Sequence, residues 1–81
     1  MNSILGDEEP ASSGHPAVLD IGTKLQRLRR ERNWTLHEAS RATGISLSAL
    51  SKIERGELSP TVTTLSRIGA GFNVDVATLL S

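Results

Sequence analysis

Two helix-start signals standing eleven residues apart constrain this 81-residue chain more than any other feature. Thr35-Leu36-His37-Glu38 is a capping box: the Thr hydroxyl accepts from the amide three residues on, and the Glu carboxylate reaches back to the Thr amide. Ser46 is the second signal, with Ile45 and Leu50 spaced as a hydrophobic staple. A helix that begins after Thr35 and stops before Ser46 has at most about two and a half turns. Gly44 marks the stop, because it takes positive φ at little steric cost. Helices this short are marginal alone in water. Each must bury an apolar face against the other and against neighbours, so the segment demands a helical domain around it.

The neighbours can be read in the same way. Asp20 is placed to cap a first helix in which Ile21, Leu25 and Leu28 recur at helical spacing, and Asn33 stops it. Gly56 ends the helix that follows Ser46. Ser59-Pro60 predicts the start of a fourth helix, with Pro at the first helical position, where its missing N–H costs nothing. Val62, Leu65, Ile68 and Phe72 are its expected buried stripe, and Asn73 in the left-handed conformation ends it. Asp75 caps a fifth helix, with Val74 and Leu79 as the staple. The expected fold is all-α, five helices over residues 20–81. Residues 1–19 hold Pro10, Gly14, Pro16, a Ser pair and an acidic triplet without any period, and are expected to form a disordered tail.

Composition removes several function classes. Without Cys there is no disulfide framework, zinc knuckle or thiol nucleophile. His37-Glu38 begins like a zinc-binding H-E-x-x-H, but position 41 is Arg and His15 is the only other His, so no metal or cofactor is expected. No Ser/His/Asp set or phosphate-cradling Gly loop is present, and catalysis is not expected. No apolar run approaches the roughly 18 residues of a membrane span, and no basic-then-apolar leader opens the chain. The expected compartment is the cytoplasm, where Asn33-Trp34-Thr35 is a chance glycosylation match. Charge is informative once it is split. Nine Lys and Arg cancel nine Asp and Glu overall, but residues 1–20 carry −4 and residues 21–81 carry all nine bases against five acids, +4. A phosphate feels that local basic surface and not the total.

The chemistry lies between Leu36 and Arg55. Two short helices meet at Gly44, and the small Ala39 and Ser40 let their axes approach. Leu50 and Ile53 turn inward from the second helix. This is the spacing of a helix-turn-helix whose second helix, residues 46–55, is free to enter a major groove. Ser46, Leu47, Ser48, Ser51, Lys52 and Arg55 are then left outward. Leu47 suits a thymine methyl, Ser48 and Ser51 suit several base edges, and Lys52 suits guanine O6 and N7. Arg55, at the helix end, suits phosphate, as does Ser46 at its start. Thr35, Leu36 and His37 at the start of the second helix, and Ser59 and Thr61 at the start of the fourth, offer amides and a positive dipole end to phosphates.

Ile21-Gly22, Leu25, Leu28-Arg29, Thr43-Gly44-Ile45-Ser46, Leu50-Ser51-Lys52-Ile53-Glu54-Arg55-Gly56, Ser59-Pro60, Thr64-Leu65 and Arg67-Ile68 together resemble the XRE-type helix-turn-helix family, which has the fold of the lambda-repressor DNA-binding domain. The resemblance covers residues 21–80. It implies a transcriptional regulator, usually a repressor, that binds double-stranded DNA as a homodimer on an inverted-repeat operator. It also implies a structural salt bridge between Arg29 and Glu54, which braces the first helix against the recognition helix. The run from Ser48 to Gly56 followed by Ser59-Pro60 is most similar to members with a C-terminal cupin sensing domain. This sequence departs from the family at Leu36 and Leu47, where many members carry Gln, so amide-to-adenine readout from those two positions is absent. Gly69 and Gly71 replace the usual Ala, and each is expected to cost about 1 kcal/mol of helix stability. The same fold also admits an antitoxin-type regulator and a protein-interaction module that binds no DNA. The latter requires an exposed apolar patch on the third helix, yet Leu47 alone is apolar among its outward residues, which favours DNA.

Overall fold

Four residues with positive φ decide where the chain turns: Asn33 at 57°, Gly44 at 75°, Gly56 at 74° and Asn73 at 57°. The computed structural model describes residues 16–80, with side chains from residue 21 onward. The expectation of a disordered tail lies, up to residue 15, outside the described residues. Five helices follow in order: α1 (Pro16–Glu31), α2 (Leu36–Thr43), α3 (Leu47–Glu54), α4 (Val62–Phe72) and α5 (Val76–Leu80). Each positive-φ residue closes one of the first four. After α1, the Asn33 and Trp34 amides donate to the Arg30 and Arg29 carbonyls at 3.0 Å each, which is a Schellman motif. The same pair of bonds recurs at Gly56 and Glu57 and at Asn73 and Val74. Gly44 makes the single αL bond, its amide donating to the Ser40 carbonyl at 2.9 Å.

The starts of the helices agree less uniformly with the sequence reading. The Thr35 capping box and the Ser46 cap are both formed. α1, however, begins at Pro16, so Asp20 lies within the helix and does not cap it. Proline presets the first helical φ, and nothing between residues 16 and 20 interrupts a helix. The fourth helix starts two residues later than Ser59-Pro60 predicts. Thr61 is its cap, with Oγ1 accepting from the Thr64 amide at 3.1 Å and lying 3.0 Å from the Thr64 hydroxyl. Ser59 has no such pair three residues on, because position 62 is Val. Val62 is consequently the first helical residue, and at 80% exposure it is no part of the buried stripe.

The core collects one or two side chains from every helix: Ile21, Leu25, Ala39, Leu50, Ile53, Ile68, Phe72 and Leu79, with Ile45 from the turn. α1 packs on α3 and α5, α2 packs on α3 and α4, and α4 packs on α5. Trp34 lies against Phe72 with ring centroids 5.0 Å apart, closing the end of α1 over the end of α4. Arg32 sits over both rings and donates from Nη2 to the Phe72 carbonyl at 2.5 Å, satisfying one of the open acceptors at the end of α4.

Two glycines allow these helices to approach. A Cβ on Gly22 would stand 2.5 Å from the Ile53 carbonyl oxygen, so α1 meets the end of α3 backbone to backbone. A Cβ on Gly71 would stand 2.7 Å from both the Ala42 carbonyl oxygen and the Thr43 methyl. The expected helix-propensity cost of Gly71 is therefore the accompaniment of close α2–α4 packing and not a plain defect.

Candidate nucleic-acid interface

The turn between α2 and α3 is held by its own polar side chains. Ser40 Oγ donates to the Ile45 carbonyl at 2.5 Å. Thr43 Oγ1 donates to the Ala39 carbonyl at 2.8 Å and accepts from the Ile45 amide at 3.2 Å. From α4, Arg67 Nη1 reaches the Gly44 carbonyl at 3.3 Å. Sequence reading gave Ser40 only a small size and gave Thr43 and Arg67 no role at the turn. Thr43 carried a local signal, since a Thr four residues after an Ala on one helix can return its hydroxyl to that carbonyl. Arg67 carried none, because its partner lies 23 residues away.

α3 divides cleanly into two faces. Leu50 and Ile53 are fully buried, and burying a side chain of that size contributes about 1.5–3 kcal/mol. Leu47, Ser48, Lys52 and Arg55 are exposed, and Ser51 is half-buried beside them. Positions 47, 48, 51, 52 and 55 follow helical spacing, so they form one strip along the outer surface. Leu47 is barely exposed by area at 37% and is the single large apolar side chain on that strip.

Helix termini flank the strip. In the capping box the Thr35 amide donates to Glu38 Oε1 at 2.7 Å, so it is occupied, and the open amides at the start of α2 are those of Leu36 and His37. At α3, Ser46 Oγ accepts from the Ala49 amide at 3.1 Å. At α4 the open amides are those of Val62 and Thr63, because the cap is Thr61; Ser59 is exposed in the loop before it.

Two ion pairs border α3. Arg29 grips Glu54 with two bonds, Nε to Oε2 at 2.6 Å and Nη2 to Oε1 at 3.0 Å, and Nη1 donates to the Trp34 carbonyl at 2.9 Å. The Arg29 and Glu54 side chains are only 14% and 5% exposed. The hydrogen bond to Glu54 raises the Arg29 pKa above its ordinary value. Arg55 makes the second pair, Nε to Glu57 Oε2 at 2.9 Å and Nη2 to Glu57 Oε1 at 3.1 Å, while Nη1 donates to Ser51 Oγ. The Arg55 fork, helped by the nearby Lys52 charge, holds the Glu57 carboxyl below its usual range. Sequence reading did not single out Glu57.

Among the described residues, no group of three or more His, Asp or Glu side chains is placed to hold a metal ion. No helix among them is long and apolar enough to cross a membrane.

Known proteins are similar to this chain in sequence and in fold. A helix-turn-helix family profile, HTH_3, matches residues 25–79. The HTH-type transcriptional regulator SutR of Escherichia coli is 46% identical over 61 residues, 75% of this chain and 34% of that protein. The HTH-type transcriptional regulator SinR of Bacillus subtilis is 34% identical over 61 residues, 74% of this chain and 55% of that one. A crystal structure of an HTH_3 family transcriptional regulator from Vibrio cholerae superposes with a TM-score of 0.73 at 36% identity, covering 75% of this chain and 34% of that one. The chain thus spans about a third of the length of two of these relatives and about half of the other. With the family profile extending from within α1 into α5, the chain belongs to the HTH_3 helix-turn-helix family.

Proposed function

We propose that this domain is the sequence-specific DNA-binding unit of a transcriptional regulator, with α3 entering the major groove. The observation that carries the reading is the outer strip of α3. It is polar and basic apart from Leu47, and its helix is buttressed from behind by Leu50, Ile53 and the Arg29–Glu54 pair. Ser48, Ser51 and Lys52 read base edges and Leu47 meets a thymine methyl. Arg55, the Ser46 end of α3, and the open amides behind the Thr35 cap of α2 (Leu36 and His37) and the Thr61 cap of α4 (Val62 and Thr63) hold the phosphates. Ser59 contributes from the loop before α4.

The relatives' names support transcriptional regulation as the wider role, and the family resemblance of the sequence supports the rest. The protein acts in the cytoplasm as a repressor, binds an inverted repeat as a homodimer, and places its half-sites about one helical turn, roughly 34 Å, apart. The likeness of residues 48–60 to cupin-bearing regulators makes a small-molecule-sensing partner domain the working expectation for the whole protein.

Binding to genomic duplex fragments, followed by gel shift across a salt series, tests the reading. If each domain engages about 4–6 phosphates, log K falls with log salt at a slope near −4 to −5. A folded domain that binds no fragment at about 50 mM salt, where phosphate contacts are strongest, refutes it.

A further inference from the structure

The Arg55 guanidinium at the end of α3 is already engaged. Its Nε–Nη2 edge holds both carboxylate oxygens of Glu57, at 2.9 and 3.1 Å, and its Nη1 donates to Ser51 Oγ. That two-pronged edge is one of the two with which an arginine grips two oxygens of a phosphate. The geometry arises from the turn. Gly56, at φ 74°, reverses the chain, and the Glu57 amide donates back to the Lys52 carbonyl at 2.8 Å. Glu57 is thereby returned beside the helix end, within reach of Arg55 and close enough to Lys52 to feel its charge. A negative charge thus sits among Ser51, Lys52 and Arg55, on the strip that faces DNA in the reading above. Both partners are about half exposed, at 52% and 56%, so water and salt screen the pair and leave it open to exchange with an incoming phosphate.

We propose that Glu57 is an intramolecular competitor for Arg55: it occupies the phosphate-gripping edge in the free protein, lowers affinity for duplexes of any sequence, and so leaves discrimination to the base-reading residues. Glu57 acts through Arg55 and is a positioning residue, touching no base itself. The proposal rests on α3 as the DNA-facing helix.

The test uses the 81-residue chain, its Glu57→Gln and Arg55→Ala variants and the double variant, with binding to a random-sequence duplex followed by fluorescence anisotropy across a KCl series. Coulomb energies at contact distance in water correspond to about a fivefold gain for Glu57→Gln. Arg55 reaches phosphate in both proteins once bound, so the salt slope stays the same and the gain appears as a parallel upward shift of log K. In the Arg55→Ala background the same substitution gains less than about twofold, because a carboxylate with no arginine to occupy acts only by screened repulsion. Thermal melts of all four proteins fix their folded state at the assay temperature. Unchanged or lower affinity on Glu57→Gln overturns the proposal, since Glu57 is then idle or supports Arg55. An undiminished gain in the Arg55→Ala background also overturns it, in favour of simple charge repulsion. No binding by any folded variant removes the DNA reading as well, whereas wild-type binding without the gain removes this inference alone.

Discussion

Replacing Arg29 with alanine removes three hydrogen bonds: two to Glu54 on the inner side of α3 and one to the Trp34 carbonyl. The consequence falls mainly on Glu54. Its side chain is 5% exposed, so water replaces the lost guanidinium poorly and supplies no compensating charge. Breaking one member of a buried pair costs about 3–5 kcal/mol, because the other charge is left uncompensated. A domain of this size has a stability near the low end of about 5–15 kcal/mol, so the loss approaches global unfolding. With a urea m-value near the low end of about 1–3 kcal/mol/M, a 3 kcal/mol loss moves the midpoint down by up to about 3 M. Trp34 supplies the probe, since its ring rests on Phe72 and leaves that contact on unfolding. Glu31→Ala is the control: it also removes a charge from α1, but Glu31 is exposed, and the expected change is within about 0.5 kcal/mol. A second arm separates charge from packing. Arg29→Met combined with Glu54→Leu removes both charges while keeping bulk, and recovers most of the loss. If Arg29→Ala melts with the wild type, Arg29 is a solvated base and α3 is braced by its apolar contacts alone.

Two further outcomes are expected. Gly71→Ala gains about 1 kcal/mol in helix propensity but drives a methyl against the Ala42 carbonyl and the Thr43 methyl, an overpacking cost of about 1–3 kcal/mol; urea melts should show net destabilisation, and an equal or higher midpoint would show that α2 and α4 separate freely. Lys52→Ala and Ser48→Ala should change which sequences are selected from a random pool while leaving stability alone, and an unaltered consensus for both would remove them from base reading.

The helix ends were legible and two of the starts were not, for a physical reason. Asn33, Gly44, Gly56 and Asn73 each stop a helix through their own backbone preference, and no distant contact decides the matter. Ser59 and Thr61 are both capping residues, and Pro60 between them permits either start. The choice falls to Thr64, whose amide and hydroxyl both meet Thr61. Val62 fits the apolar period of α4, but period describes a face, not how far neighbouring helices extend along it. The site shows the same division. The two faces of α3 follow from spacing. The Arg29–Glu54 contact was anticipated only through family resemblance, because no local rule links residues 25 positions apart. Glu57 escaped notice because its nearness to Arg55 depends on the backbone reversal at Gly56, and a sequence gives that reversal no side-chain direction.

The arrangement separates what holds α3 from what α3 presents. Its placement depends on Leu50 and Ile53 in the core, on Gly22 meeting the Ile53 and Glu54 carbonyls, on the Arg29–Glu54 pair, and on the turn bonds of Ser40, Thr43 and Arg67. None of these residues belongs to the outer strip. Ser48 and Lys52 are exposed and donate no side-chain bond to the rest of the fold, and surface residues of that kind tolerate substitution within about 0.5 kcal/mol. Ser51 is the exception, since it accepts from Arg55 and so ties the outer strip to the Glu57 pair. In the proposed reading, changes at positions 48 and 52 alter sequence preference without altering the helix that carries them, and a change at position 51 alters preference and the availability of Arg55 together.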